Sequence, residues 1–312
     1  HPLVAAGGAF SCSVDGNGRL TCWGKNDSGQ AAAPAGVFDR LSLGQSHACA
    51  IGLNRRTTCW GWNGFGNATP PDMTGVLQVT AGDRHTCALL DTGRIRCWGT
   101  SADNRLAVPS AMYTAVDAGA NHTCALTSDG NVKCWGANTS GQTSVPAGLQ
   151  SGGNATAISA GGNFTCALNK SGSPECWGGS SAIRDEPAGT YTALTAGRDF
   201  ACALDAAGSV HCWGDRKITM QGSFQQISAG DDHVCGLQTG GWMSCSGGND
   251  YGQAPLITLG PDFLPVMEAG KPGSAQFNAG GSRSGQYVYT ISEGKLPEGL
   301  ILNSNTGALT GT

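Results

Sequence analysis

The fourteen cysteines are the side chains whose type and spacing most clearly specify a chemistry. They form pairs whose members are ten positions apart: Cys12 with Cys22, Cys49 with Cys59, Cys87 with Cys97, Cys124 with Cys134, Cys166 with Cys176, Cys202 with Cys212, and Cys235 with Cys245. An even number of cysteines at regular spacing predicts disulfide bonds formed in an oxidising compartment. Closing such a short loop stabilises by roughly 2–3 kcal/mol in the chain-entropy model.

Histidines form a second regular set. Four of the six lie two positions before the first cysteine of a pair: His47, His85, His122 and His233. A ring of histidines could bind a metal, but Phe10, Phe164 and Phe200 fill the same position in three other repeats. A position that accepts phenylalanine is a packing position, so we expect no metal site and no cofactor.

One cluster could support acid–base catalysis. Asp231 and Asp232 directly precede His233, and no other acidic pair directly precedes a histidine. Their neighbours occupy ordinary positions of the repeat, and the chain carries none of the common nucleophile or phosphate-loop motifs. We therefore expect a protein that is not an enzyme.

The element that must position these residues is a β-hairpin. Between Cys87 and Cys97 two short runs flank an Asp-Thr-Gly turn. A register in which paired residue numbers sum to 184 places Cys87 directly opposite Cys97, close enough for a disulfide. We expect all fourteen cysteines to pair in this way, each within its own hairpin.

Both faces of each hairpin carry core residues, because side chains alternate along a strand. An aliphatic residue shares the face of the first cysteine in each repeat: Val14, Ile51, Leu89, Leu126, Leu168, Leu204 and Leu237. The opposite face combines small residues with a tryptophan after the second cysteine: Trp23, Trp60, Trp98, Trp135, Trp177 and Trp213. The seventh repeat has Ser246 there, and we expect Trp242 to fill the gap.

A third strand precedes each hairpin, as at Val79-Thr-Ala-Gly82, and a Gly-x-Asn-x-x-Gly-Gln turn follows several of them, as at positions 24–30 and 136–142. Repeats of 33–42 residues that are buried on both faces are typical of a radial stack of blades. The sequence thus predicts an all-β, seven-bladed β-propeller over residues 1–256, with one disulfide in each blade.

The repeat resembles that of the regulator of chromosome condensation family. The matching residues are Ala-Gly-x-x-His-x-x-Ala-Leu followed by Trp-Gly-x-Asn-x-x-Gly-Gln, and the resemblance implies seven blades. Residues 141–161 look especially like the secreted bacterial β-lactamase-inhibitory propeller. Such inhibitors have large aromatic residues before the histidine position, where this chain has Ala9, Ser46, Arg84, Asn121, Asn163, Asp199 and Asp232. The resemblance therefore implies the scaffold but not the inhibitor's target.

Residues 257–312 contain no cysteine, and their Leu-Pro-Glu-Gly-Leu and Thr-Gly-Ala-Leu-Thr-Gly-Thr motifs resemble the putative-Ig, cadherin-like domains of bacterial surface proteins. We expect a small Ig-like β-sandwich that lacks its last strand, with Tyr287, Tyr289 and Ile291 on one face of a strand. An open strand edge can pair with another chain, so the segment predicts self-association. The first residues, His1 to Val4, show no signal-peptide pattern, and we expect a mature or trimmed product.

The candidate binding residues lie in the loops between the third strand and the hairpin. These loops vary between repeats whereas the core positions do not, and variable loops on a fixed scaffold commonly carry function. The candidates are Arg84, Asn121, Asn163, Arg198, Asp199, Asp231, Asp232 and, after an outer strand, Trp62. Phe65 and Tyr251 share a position with Ser28 and Ser140. Both a core role and a contact role are open for them, with the core role favoured.

Composition limits the partners. Charged residues make up 13% of the chain, the net charge is −4, and no basic run or long apolar stretch occurs, which argues against nucleic acid and against membrane insertion. We predict a secreted or cell-surface protein that binds a protein or glycan on one propeller face, in adhesion, recognition or assembly. An inhibitor of an extracellular enzyme and a lectin are the alternatives.

Overall fold

The computed structural model describes residues 3–239, 241, 243–254, 273–276, 300–302 and 308–311. Within them, strands from Leu3 to Gly247 form seven three-stranded antiparallel sheets, each built from consecutive strands. Each sheet is one blade, with an inner, a middle and an outer strand in chain order. The all-β, seven-bladed prediction is confirmed.

The first four blades have these bounds: blade 1, β1 (Leu3–Ala6), β2 (Phe10–Val14) and β3 (Leu20–Gly24); blade 2, β4 (Phe38–Leu43), β5 (His47–Gly52) and β6 (Thr57–Gly61); blade 3, β7 (Val76–Ala81), β8 (His85–Leu90) and β9 (Ile95–Gly99); blade 4, β10 (Tyr113–Ala118), β11 (His122–Thr127) and β12 (Val132–Gly136).

The other three blades follow in chain order: blade 5, β13 (Ala155–Ala160), β14 (Phe164–Asn169) and β15 (Pro174–Gly178); blade 6, β16 (Tyr191–Ala196), β17 (Phe200–Asp205) and β18 (Val210–Gly214); blade 7, β19 (Phe224–Ala229), β20 (His233–Gln238) and β21 (Met243–Gly247). Two short helical segments lie in connections: a 3-10 turn at Ala102–Asn104 and α1 at Ala147–Gln150.

The hairpin register agrees with the sequence prediction. In blade 3, His85 pairs with Gly99, Thr86 with Trp98 and Cys87 with Cys97.

All fourteen cysteines are joined within their own blade, as the sequence predicted. In chain order the disulfides join Cys12 with Cys22, Cys49 with Cys59, Cys87 with Cys97, Cys124 with Cys134, Cys166 with Cys176, Cys202 with Cys212, and Cys235 with Cys245. Each bridges two facing residues whose Cα atoms are 4.0–4.1 Å apart. Each hairpin is therefore closed covalently as well as by its backbone hydrogen bonds.

The two faces of a blade pack against different neighbours. The cysteine face of blade 2, with Cys49 and Ile51, packs on Ala88 and Trp98 of blade 3. The cysteine face of blade 3 packs in turn on the tryptophan face of blade 4. The core is thus a ring of similar seams rather than one central cluster. Trp242, expected to complete the seventh seam, lies outside the described residues.

The ring closes between blade 7 and blade 1 through side chains. Gln226 of blade 7 accepts from the amide of Val4 at 3.3 Å and donates to its carbonyl at 3.2 Å, as a neighbouring strand would. Trp23 of blade 1 donates its indole N–H to the carbonyl of Gln253, which follows blade 7. No strand is exchanged between the two blades in the described part of the chain.

The inner strands surround a narrow central channel. One glycine in each blade stands where the inner strand ends: Gly7, Gly44, Gly82, Gly119, Gly161, Gly197 and Gly230. A Cβ added at any of these would collide with the carbonyl oxygen of the equivalent glycine in the next blade. The Ala-Gly repeats of the sequence therefore mark the closest approach between blades.

Three further strands lie in the C-terminal segment: β22 (Gly273–Gln276), β23 (Leu300–Leu302) and β24 (Ala308–Gly311). They form one antiparallel sheet in which β24 is the central strand. The expected strand through Tyr287, Tyr289 and Ile291 lies outside the described residues, and self-association of this segment stays a prediction.

Candidate binding face

One end of the propeller collects two kinds of loop, which together we call the loop face. The inner loops join inner to middle strands, at residues 7–9, 44–46, 82–84, 119–121, 161–163, 197–199 and 230–232, and the outer turns follow the outer strands. In six blades the first amide of the outer turn donates to the carbonyl of the last inner-loop residue, as from Thr100 to Arg84 at 3.0 Å. The predicted inner-loop candidates therefore all lie on this face.

Charged side chains gather where the channel opens on the loop face. The channel encloses about 270 Å³, and Asp83, Arg198 and Asp231 line it. Arg198 pairs with Asp231 at 3.0 Å. Burial raises the pKa of both Asp83 and Asp231, and Arg198 opposes the rise. Two predicted site residues, Arg198 and Asp231, thus form an ion pair at the mouth of the channel.

The channel wall contains an acid that sequence reasoning missed. In six seams, a side chain of one inner strand accepts the alanine amide of the next, and the acceptors are Ser42, Thr80, Asp117, Ser159, Thr195 and Ser228. Asp117 also accepts from the hydroxyls of Thr80 and Ser159, both at 3.1 Å. Burial raises the pKa of Asp117 despite these hydrogen bonds. The signal was present, since Asp117 stands where five of the other six blades have serine or threonine.

A cluster of aromatic and cationic side chains spans the boundary of blades 2 and 3. Trp62 packs edge-on against Phe65 with ring centroids 5.3 Å apart, and the guanidinium of Arg84 lies 5.2 Å from the Phe65 ring. Phe65 is 45% exposed, so the favoured core role for this residue was wrong. Trp62 is half-buried rather than fully exposed. Two predicted site residues, Trp62 and Arg84, thus meet around the ring of Phe65.

A smaller version occurs at the boundary of blades 7 and 1. The ammonium of Lys25 lies 4.9 Å from the ring of Tyr251. Tyr251 is 54% exposed, so the favoured core role was wrong here too. Among the other candidates, Asp199 pairs with Arg216 at 2.9 Å, Asn163 is exposed and Asn121 is partly buried.

The seam between blades 7 and 1 contains a Ser-His-Asp arrangement that resembles a hydrolase triad. Nε2 of His233 lies 2.7 Å from Oγ of Ser11, and its Nδ1 lies 3.3 Å from Oδ1 of Asp232. Ser11 and His233 are both fully buried, and the Ser11 hydroxyl also lies 3.0 Å from the carbonyl of Gln253. A nucleophile must be reached by its substrate, so this arrangement acts as a structural seam. The contact with His233 also holds the Asp232 side chain in place, a role that the sequence did not suggest.

Family models match both parts of the chain. The one described as Regulator of chromosome condensation (RCC1) repeat matches residues 3–30, 76–105, 113–142 and 191–215. Four segments of the chain thus match the RCC1 repeat. These matches fall in blades 1, 3, 4 and 6, and the structure adds three further blades with the same strand order. A second model, Putative Ig domain, matches residues 255–312. No curated protein matches the chain.

Solved structures share the RCC1 propeller fold. The CRINKLY WD40 ectodomain of the Arabidopsis thaliana receptor kinase ACR4 is 27% identical, with 79% of this chain and 96% of that chain covered and a TM-score of 0.67. The entire ectodomain of the Physcomitrella patens receptor kinase CR4 is 24% identical over 99% and 94% of the two chains, with a TM-score of 0.69. Prp20p from Saccharomyces cerevisiae is 18% identical over 78% and 81%, with a TM-score of 0.62. These last two similarities concern the fold alone.

The described part of the chain contains no helix long and apolar enough to cross a membrane.

The histidine position of the RCC1 repeats follows a rule across each seam. Each histidine places Nε2 within 2.7–2.8 Å of a hydroxyl in the next blade, and the pairs are His47 with Thr86, His85 with Thr123, His122 with Thr165 and His233 with Ser11. Each phenylalanine instead faces a residue without a hydroxyl, and these pairs are Phe10 with Ala48, Phe164 with Ala201 and Phe200 with Val234. Burial lowers the pKa of His47 and His122 to about 4 and that of His85 to about 3. His47, His85 and His122 therefore lie in the seams as neutral, buried packing groups.

Proposed function

We propose that this chain is an extracellular, non-catalytic binding module that docks a protein partner on the loop face, centred on Trp62, Phe65 and Arg84. The observation that carries the proposal is the cluster itself. Other blades fill the same positions with Lys25 or Ala137, with Ser28 or Ser140, and with Asn121 or Asn163. The fold therefore does not require two aromatic rings and an arginine here.

The chemistry of the cluster suits a protein interface. Tryptophan and arginine are the residue types most enriched among the side chains that dominate binding energy. An arginine stacked on an aromatic ring presents a flat surface with little conformational entropy left to lose. The neighbouring mouth, with Arg198 paired to Asp231, supplies a charged rim.

The extracellular location is supported by two observations. Seven disulfides require an oxidising compartment to form and persist. The similar Arabidopsis thaliana structure is a receptor ectodomain. Adhesion, recognition and assembly of a surface structure are the roles that we propose for such a module.

The test compares two matched variants. The cluster variant is Trp62→Ala with Phe65→Ser, where serine is the residue of blades 1 and 4 at this position. The control is Tyr251→Ser, which makes the same replacement at the other exposed aromatic. Each immobilised protein is presented with the extracellular protein fraction of its source, and bound proteins are identified and then purified for affinity measurement. We expect one partner to bind the parent and the control with equal affinity and the cluster variant at least tenfold more weakly.

Two results would contradict this proposal. A purified partner that binds the cluster variant as tightly as the parent would place the interface elsewhere. Binding on a glycan array, lost in the cluster variant, would replace the protein partner with a sugar and make the chain a lectin. If the captured partner is a hydrolase whose activity falls on binding, the module is an inhibitor, and the interface proposal stands.

A further inference from the structure

The last position of the outer turn points into a small space between the turn and the inner loop of the same blade. In blade 7 this position is Gln253, whose Nε2 donates to Oδ1 of Asp232 at 3.4 Å. The same oxygen lies 3.3 Å from Nδ1 of His233. The carboxylate of Asp232, an inner-loop residue, thus contacts both the glutamine and the histidine side chains.

Blade 3 has different groups around the equivalent space. Arg105 replaces the glutamine, and Arg84 replaces the aspartate that would bring a carboxylate. Arg105 is only 7% exposed. One nitrogen of its guanidinium, Nη2, pairs with Asp103 at 2.6 Å. Within the described part of the chain, Nε and Nη1 of Arg105 have no hydrogen-bond partner, nor does Nδ1 of His85.

The positive charge of Arg105 acts on His85. Burial is the main reason that the pKa of His85 is lowered to about 3, and the positive charge of Arg105 is the next. The Arg84 carbonyl caps the outer turn that carries Arg105 through the 3.0 Å bond from Thr100. The outer turn that carries Arg105 is thus fixed to the inner loop that carries Arg84.

His85 can add a third donor, unlike His47 and His122. Thr86 and Thr165, which contact those two histidines, donate their hydroxyl protons to the carbonyls of Asn67 and Gln142. They must then accept from Nε2, which leaves Nδ1 without a proton. Among the described residues, Thr123 has no such carbonyl acceptor, so its hydroxyl can donate to Nε2 of His85. The proton of the neutral imidazole is then free to sit on Nδ1 and point into the space.

Leaving these donors without acceptors is energetically costly. A buried donor without a partner costs about 1–3 kcal/mol, and more when the group is charged. Gln142, at the same position in blade 4, also leaves its Nε2 without a partner among the described residues, but only the arginine of blade 3 leaves charged donors unpaired. A planar guanidinium with two adjacent free N–H groups matches the two oxygens of a carboxylate.

We propose that blade 3 contains a carboxylate-binding subsite, with Arg105 as its main donor and Arg84 on the adjoining inner loop, that takes an acidic side chain of the protein partner. The assignment of the carboxylate to a partner rests on the proposed function. The subsite itself does not, because it is defined by donors of this chain and has an internal counterpart in the Asp232 carboxylate of blade 7.

The test needs no partner. The full chain, labelled with ¹⁵N, is titrated with sodium acetate, with acetamide at matched ionic strength as the neutral control, and the Nε–H signal of Arg105 is followed by NMR. We expect a saturable shift with acetate and none with acetamide. N-acetyl-aspartate amide, which presents the carboxylate on a peptide unit, should bind at least threefold more tightly than acetate if the subsite serves a protein side chain. Tighter binding of acetate would instead indicate a site for free small anions and would overturn the assignment to a partner.

Two variants sharpen the result. Arg105→Gln, which installs the residue of blades 1, 4 and 7, should fold with an unchanged disulfide pattern. In this variant, acetate should no longer shift the NMR signals of the other residues of the site. Arg84→Asp with Thr100→Gly copies the Asp232 and Gly248 pair of blade 7, so its own carboxylate should shift the Arg105 signal and abolish the response to acetate. Addition of acetate without a saturable shift in the parent would overturn the subsite and leave the loop-face proposal intact, because that proposal is tested separately through Trp62 and Phe65.

Discussion

The seams between blades and the loop face are built from the same repeats, but only the seams repeat their side-chain contacts. At six seams a tryptophan indole donates to the carbonyl that ends the preceding outer turn, at 2.9–3.0 Å each time. On the loop face, equivalent positions hold lysine, tryptophan, threonine or alanine. The difference shows that stability is carried by the seams, which frees the face to vary. Substitutions in the two regions should therefore differ in their effects on stability.

The largest effect is expected at the ring of glycines. In Gly44→Val, the new Cβ would collide with the carbonyl oxygen of Gly82 and with the ring of His47. Backbone cannot move away as a flexible side chain can, so we expect a loss of roughly 3 kcal/mol or more in unfolding free energy. Denaturant unfolding with the disulfides intact measures it. The control is Gly148→Ala, because a Cβ at Gly148 meets no atom within 4 Å; equal stability losses in the two variants would contradict the close approach.

A smaller effect is expected when the histidine rule is broken at one seam. His47→Phe removes the 2.8 Å bond to Thr86 and sets a ring against its hydroxyl, which should cost about 1–3 kcal/mol. Adding Thr86→Ala recreates the pair of Phe10 with Ala48 in the neighbouring seam. We expect the double variant to recover about 1 kcal/mol, measured as the interaction energy of a double-mutant cycle. Strict additivity of the two changes would show that the pairing rule has no energetic basis.

The same seam should govern part of the acid sensitivity. The pKa of His47 is about 4 in the fold, against an ordinary value of 6.5. Between these values the unfolded chain binds the extra proton, so stability falls as the pH drops from 6.5 towards 4. Aspartates whose pKa is raised by burial, such as Asp117, act in the opposite direction below their folded pKa. Comparing the parent with the double variant, His47→Phe with Thr86→Ala, isolates the histidine: the variant should show the shallower loss of stability over this window, and an unchanged slope would contradict the buried neutral state.

The same difference between the seams and the loop face explains which features could be predicted from the sequence. The disulfides, the hairpin register and the two packed faces were predictable, because they depend on spacing within one repeat and on the alternation of a strand. The rule that pairs His47 with Thr86 was present in the sequence but joins positions 39 residues apart in different blades. It becomes visible only when the ring order sets one blade's aromatic position beside the next blade's hydroxyl.

The face was less predictable, because its geometry depends on which side chains meet across a blade boundary. Arg84 and Trp62 were identified by their variation, but their common contact, Phe65, was assigned mainly to the core. Asp232 was identified as a surface residue, yet its bonds to His233 and Gln253 tie it to the seam. Arg105 stands where blades 1, 4 and 7 have glutamine, but its role depends on the absence of a carboxylate at position 84, which the turn motif alone does not show.

The smallest effect is expected on the loop face itself. Trp62→Ala and Arg84→Ala remove contacts that are made only within the cluster, and neither side chain forms a seam hydrogen bond in the described part of the chain. Arg84→Ala should change the unfolding free energy by less than about 0.5 kcal/mol, and Trp62→Ala, which is half-buried against Phe65, by about 1 kcal/mol or less. Thermal and denaturant unfolding of the two variants measure this directly. Asp232→Ala is the internal contrast, because it removes the carboxylate that accepts from Nε2 of Gln253 and lies 3.3 Å from Nδ1 of His233, and it should cost about 1–3 kcal/mol. If Arg84→Ala proved as damaging as Asp232→Ala, the arginine would be part of the scaffold, and the division between an invariant set of seams and a variable binding face would fail in blade 3.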